Sequence, residues 1–255
     1  MVNLHRFANP NRFMRLSGFV LPWVSGIAAI TFVVGLYLAL VVSPPDYEQR
    51  ETVRIMYIHV PAAWMALFSY TLMAASSAAA LIWRHPLADV AAKSIATVGA
   101  GFTFICLVTG SLWGQPTWGT WWVWDARLTS VLILFFLFVG YMVLFDAFDD
   151  PTKGARAAGV LAMVGFVFVP IIKFSVDILE LRTLHQGASV SKLSSPSIHE
   201  SMLWPLLIMA LAYIAYFISL LLVRMRSAIL AARVRSLRMM QAERASRVTI
   251  APERS

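Results

Sequence analysis

Between Trp113 and Asp125 the chain reads Trp-Gly-Gln-Pro-Thr-Trp-Gly-Thr-Trp-Trp-Val-Trp-Asp, so Trp113, Trp118, Trp121, Trp122 and Trp124 place five of its nine tryptophans within thirteen residues. Indoles offer flat, polarisable faces and N–H donors at their edges, which suits covering a planar ligand. Three of the five histidines, His59, His185 and His199, lie beside long apolar runs, and so do Arg54 and Arg127. Imidazoles bind metals and guanidinium groups pair with carboxylates. A flat apolar ligand with anionic groups, held by two imidazoles, fits this inventory, and haem is such a ligand: histidines take the iron and arginines the propionates. A bare zinc site asks for three or four close protein ligands. Cys106 is the single cysteine, which leaves no internal disulfide and no C-x-x-C-H attachment motif. A phosphate-binding glycine loop and a fixed-period repeat are also missing from the sequence.

The elements that must position these residues are membrane helices. Apolar residues make up 59% of the chain and charged ones 13%, too apolar for a soluble domain of this length. Roughly 20 apolar residues are needed per helical span. Six stretches qualify, at about 19–42, 60–83, 94–112, 127–148, 157–176 and 202–223. Long continuous runs exclude the short alternating segments of a membrane β-barrel. The predicted fold is therefore all-α, polytopic, with six transmembrane helices. The first span is read as a retained helix, being longer than the apolar region of a secretory signal. Residues 1–223 form the membrane domain and 224–255 a basic tail.

Charge sets the orientation. Arg6, Arg12 and Arg15, then Arg84 and Lys93, Lys153 and Arg156, and eight arginines from Arg224 to Arg254 fall on one side. The positive-inside rule makes both termini cytoplasmic, so the loops around residues 50, 120 and 190 lie outside. The basic tail is a stop signal with a solvated extension, with anionic lipid as a further partner; nothing in the chain suggests nucleic acid.

Local signals refine the picture. Pro61 reads as the first turn of span two, leaving His59 just before the helix. If residues 118–125 are helical, Trp118, Trp121, Trp122 and Asp125 share a face at i, i+3, i+4 and i+7. Asp125 has two readings: N-cap of span four, or an acceptor orienting a ligating imidazole. Arg127 lies within the first turn of that span and requires an anion. Lys173, near the outer end of span five, can snorkel to the interface. Residues 177–187 as a helix put Ile178, Leu181, Arg182 and His185 on one side, and His199 falls at the start of span six in a capping-box pattern.

The run Trp118-Gly119-Thr120-Trp121-Trp122-Val123-Trp124-Asp125-Ala126-Arg127 resembles the tryptophan-rich signature of the haem-handling membrane proteins of cytochrome c biogenesis. Tyr57-Ile58-His59-Val60-Pro61, Leu107-Val108-Thr109-Gly110-Ser111, Ala147-Phe148-Asp149-Asp150 and Thr183-Leu184-His185-Gln186-Gly187 are similar to the CcmC family in particular. The resemblance covers nearly all six spans. It implies a bacterial inner-membrane protein that binds haem b on the periplasmic side and presents it for covalent transfer to the haem chaperone CcmE. Its expected partners are the ABC transporter components CcmA and CcmB and the small membrane protein CcmD. By resemblance, His59 and His185 are the axial ligands, and Trp118, Trp121, Trp122, Trp124 and Asp125 form the platform, with Trp113 beside it. Arg54 and Arg127 are assigned to the propionates by charge and location. Such a protein is a haem-lyase-like assembly factor rather than a conventional enzyme. A transmembrane haem or solute exporter and a quinone-linked redox subunit are the alternatives. Transport calls for ionisable groups or interrupted helices near the midplane, and the sequence offers little beyond Pro170 and Lys173.

Overall fold

The computed structural model describes residues 9–175, 184–185 and 198–250. Helix α1 (Pro10–Tyr37) starts where the Asn9 side chain accepts from the Asn11 and Arg12 amides at 2.9 and 3.4 Å, with proline in the first turn. A π-turn, Leu38–Val42, closes it. After a tight turn in which Asp46 and Arg50 exchange backbone hydrogen bonds, a 3-10 turn (Glu51–Ile55) runs straight into α2 (Met56–Trp83). Arg84 then adopts a left-handed conformation, and Pro86 opens α3 (Pro86–Trp118). Helix α4 (Ala126–Asp146) is followed by α5 (Pro151–Gly165), which the Asp150 carboxylate caps at the Thr152 amide. The fifth span is completed by α6 (Phe168–Phe174) after a turn at Phe166 and Val167. Pro170 has no N–H to offer the Phe166 carbonyl, which instead accepts from Val169 at 3.0 Å. The last element, α7, runs unbroken from Glu200 to Ile250.

Among the described residues six helices or helix pairs are long and apolar enough to cross a membrane, as predicted. Helices α2 and α3 pack along their length, α1 pairs with α7, and α4 bridges α3 and α5. The core between them is built from Tyr57, Tyr70, Met73, Phe102, Leu134, Phe138, Tyr141, Leu206, Met209 and Phe217. Lipid gives helices no hydrophobic reason to associate, so close approach of backbones matters more than in water. At Gly99 a Cβ would stand 2.5 Å from the Phe138 ring and 2.9 Å from Ser69 Cβ, which holds α2, α3 and α4 together. The outward faces are apolar, as on α1 with Phe19, Trp23, Ile27, Ile30 and Val33 exposed.

Three boundaries differ from the sequence expectation. Pro61 is the sixth residue of α2 and not its start, because its missing N–H costs only the bond to Tyr57 while the upstream turns stay helical. Helix α3 continues through the first two tryptophans to Trp118 and stops at Gly119, whose φ of 75° a side chain would strain. Residues 119–125 are therefore not helical, and Trp118, Trp121, Trp122 and Asp125 do not share a helical face. The expected helix at 177–187 lies outside the described residues apart from Leu184 and His185.

Candidate functional site

The start of α2, the end of α3 and the start of α4 meet at one end of the bundle, where Ser175 and His185 also stand. His59, in the first turn of α2, is buried there at 8% exposure. Its Nδ1 lies 3.1 Å from the Cys106 carbonyl and 3.1 Å from Thr109 Oγ1. A carbonyl can only accept, and the Thr109 hydroxyl spends its own proton on the Ile105 carbonyl at 2.6 Å. The His59 proton is therefore on Nδ1, and Nε2 presents a lone pair. This is the arrangement by which an outer hydrogen bond readies a histidine for a metal. Gly110 gives the ring its room: a Cβ there would stand 2.9 Å from Cε1 and 3.4 Å from Nδ1. Trp113 meets the same ring edge-on, centroids 5.7 Å apart. Cys106, Thr109, Gly110 and Trp113 are one face of α3, at i, i+3, i+4 and i+7. The Trp113 indole donates to Gln49 Oε1 at 2.8 Å, and the Asp46 carboxylate accepts from the Gln49 backbone N–H at 2.8 Å.

His185 stands at the same place. Its ring centre is 6.4 Å from that of His59, the planes inclined by 36°, and 6.2 Å from Trp118. Arg127 Nη1 lies 3.0 Å from His185 Nδ1, while Arg127 Nε donates to Ser175 Oγ at 3.1 Å. Asp125 is the N-cap of α4, accepting from the Leu128 amide at 2.7 Å, and this fixes the turn that carries Arg127. Of the two readings of Asp125, the N-cap is thus seen directly, and the groups that accept from His59 Nδ1 are on α3.

The tryptophans divide by position. Trp113 and Trp118 belong to α3 and touch the two histidines; the Trp118 ring folds back over Gly114, where a Cβ would be 3.0 Å away. The chain after Gly119 turns back along α3, with Ser111 Oγ donating to the Trp121 carbonyl at 2.8 Å. Trp122 and Trp124 pack edge to face at 5.7 Å. Trp121 and Trp124 are 58% and 76% exposed, whereas Trp122 Nε1 is buried without a hydrogen-bond acceptor. Arg54 is engaged elsewhere: Nη1 donates to the Ala39 carbonyl at 2.8 Å and Nε pairs with Glu51 at 2.5 Å. Together with the bonded hydroxyls of Ser43 and Tyr57, it locks the α1–α2 junction that supports Gln49. His199 serves its own helix, its Nδ1 meeting the Ser201 hydroxyl at 2.8 Å.

The separation of the two imidazoles would suit a metal bound between them. Two imidazole–metal bonds of about 2.0 Å, with half a ring beyond each, put ring centres about 6 Å apart, which matches the observed pair. Among the described residues there is no group of three or more His, Cys, Asp or Glu able to hold a bare ion. The remaining ligands would come from the bound group itself; Trp113, Trp118 and Arg127 are the groups that stand against the two imidazoles. Sequence reasoning named His59, His185, Arg127 and the tryptophans. It missed Thr109, Gly110, Gln49 and Ser175, whose types are ordinary in apolar helices and turns.

Comparison with known proteins agrees with the resemblance. Residues 3–240 match the family model CcmC, Heme exporter protein C. The chain is similar to Heme exporter protein C of Bradyrhizobium diazoefficiens, 54% identical over 237 residues, which is 93% of this chain and 89% of that one. It is 44% identical over 227 residues to the Haemophilus influenzae protein of the same name, covering 89% of this chain and 92% of the relative. With that of Escherichia coli K12 it shares 43% over 228 residues, 89% of this chain and 91% of the relative. With its six apolar spans and these relatives, the chain is a multi-pass membrane protein that belongs to the CcmC family.

Proposed function

We propose that this protein binds haem b at the periplasmic face of the bacterial inner membrane and presents it for covalent transfer to the haem chaperone CcmE, in cytochrome c biogenesis. Haem is cargo in this reading. The observation that supports it best is the facing pair His59 and His185, ring centres 6.4 Å apart, with the Nδ1 proton of His59 committed to Cys106 and Thr109. His59 and His185 hold the iron. Trp113, Trp118, Trp121, Trp122 and Trp124 cover part of the macrocycle, and Asp125 fixes the turn beside it. Arg127 takes one propionate; Arg54 takes the other by giving up Glu51. The exposed indoles of Trp121 and Trp124 leave an edge of the ligand open to a partner, where a vinyl group can be bonded. CcmA, CcmB and CcmD complete the assembly.

The test is spectroscopic. Purified protein loaded with haem is expected to give a low-spin, six-coordinate optical and electron-paramagnetic signature. His59→Ala and His185→Ala each lose it or convert it to a five-coordinate form, and His199→Ala keeps it. Unchanged spectra in both His59→Ala and His185→Ala would refute the ligation.

A further inference from the structure

The two histidines are not prepared alike. His59 Nδ1 faces two acceptors, the Cys106 carbonyl and Thr109 Oγ1, each at 3.1 Å. His185 Nδ1 faces a donor, Arg127 Nη1, at 3.0 Å. A guanidinium has five N–H donors and no lone pair, so His185 accepts through Nδ1 and its proton is on Nε2. His59 therefore offers Nε2 to a metal at once, while the Nε2 of His185 is blocked by its own proton. Arg127 is anchored at a second point, Nε to Ser175 Oγ at 3.1 Å, which in turn donates to the Ile172 carbonyl at 3.1 Å. Its Nη1 can thus change partner while the guanidinium stays in place.

We propose that Arg127 is a latch that makes engagement of His185 conditional on the ligand's carboxylate. This rests on the haem reading above and adds an order to it. The iron first meets His59. A propionate then competes for the Arg127 guanidinium and wins, since a charge-assisted, bidentate pair with a carboxylate is stronger than a bond to a neutral imidazole. His185 loses the Arg127 hydrogen bond, and its proton passes from Nε2 to Nδ1 through water with no change in net charge. The Nε2 lone pair then forms the second bond to iron, displacing whatever weak ligand stood there. An iron porphyrin without carboxylates would be held by His59 alone. The latch is in this sense a specificity device: it reads the propionates through the coordination state of the metal.

The test compares haem with its dimethyl ester, in which both carboxylates are esterified, on the full chain and on Arg127→Met. Wild type is expected to be six-coordinate with haem and five-coordinate with the ester. Arg127→Met is expected to bind haem about tenfold more weakly, having lost one charge-assisted bond, yet to become six-coordinate with the ester, because the Arg127 hydrogen bond that holds the Nδ1 of His185 is gone. Opposite effects on the two ligands are not what a merely structural arginine would produce. A six-coordinate ester complex in wild type, an ester that does not bind at all, or an Arg127→Met ester complex that stays five-coordinate would each overturn the latch. Should the variant fail to fold, nitrogen-15 spectra of the histidines in ligand-free wild type decide: Nδ1 protonated in His59 and Nε2 protonated in His185 are expected, and the same tautomer in both would overturn it. Absence of any six-coordinate haem in wild type would instead refute the ligation reading itself, and the two failures are distinguishable.

Discussion

One face of α3 decides what His59 can do. Thr109 and the Cys106 carbonyl direct its proton, Gly110 makes space for its ring, and Trp113 closes the side. Thr109→Val keeps the shape and removes one of two acceptors; a neutral hydrogen bond contributes about 1 kcal/mol net, so haem affinity is expected to fall a few-fold, with Thr109→Ser close to wild type in equilibrium titration. Gly110→Ala is expected to be worse, because the added carbon would stand 2.9 Å from Cε1 of a ring pinned on its other edge. It should lose the six-coordinate spectrum while the protein remains folded; a normal spectrum would show that the ring can shift. The histidines and Arg127 were legible in the sequence because such types are rare beside apolar runs. Thr109 and Gly110 were not, since threonine and glycine are common in membrane helices and only the crossing of α2 over α3 gives them a task. The quoted stretch Leu107–Ser111 contained both residues without indicating a role for either.

At the scale of elements, the six spans followed from apolar length, while their outer ends did not. Gly114, Pro116 and the tryptophans look like the end of a helix, yet α3 passes through them to Trp118. The stop is Gly119, where the positive φ of 75° ends the helical ladder. That extension matters, because it places Trp113 and Trp118 on a rigid helix facing the histidines and leaves only Trp121, Trp122 and Trp124 on the returning chain. The N-cap of α4 was readable from Asp125 alone, and it positions Arg127 two residues on. Asp125→Ala removes a cap worth 0.5–2 kcal/mol and is expected to reduce both thermal stability and haem retention. Asp125→Asn still caps, so it should retain haem nearly as well as wild type. If Asn fails as badly as Ala in a haem-retention assay, the charge of Asp125 matters and its capping does not account for the loss.

For the whole molecule, an even number of crossings puts the start of α1 and the end of α7 on the same side, and the histidine–tryptophan site at the opposite end. Basic residues gather on the first side, with Arg12, Arg15, Arg84, Lys93, Lys153 and Arg156 joined by the arginines of α7. At 1.5 Å per residue the 51 residues of α7 extend about 77 Å, against a hydrocarbon core of about 30 Å. More than half of that helix therefore projects beyond the hydrocarbon core. Arg224 and Arg226 stand near its exit, donating to Thr97 at 2.9 Å and to the Met14 carbonyl at 2.6 Å, so the projecting part is tied to α3 and α1. By the positive-inside rule α7's arginines are expected in the cytoplasm and the site on the periplasmic side. The single native cysteine is buried, so introduced cysteines can be read against a silent background. In intact cells, Tyr47→Cys and Trp124→Cys, at positions 88% and 76% exposed, are expected to react with a membrane-impermeant maleimide. Arg238→Cys should react only after the membrane is opened. The reverse pattern would invert the topology and move the histidine pair to the cytoplasmic face, where a periplasmic chaperone could not reach the ligand it holds.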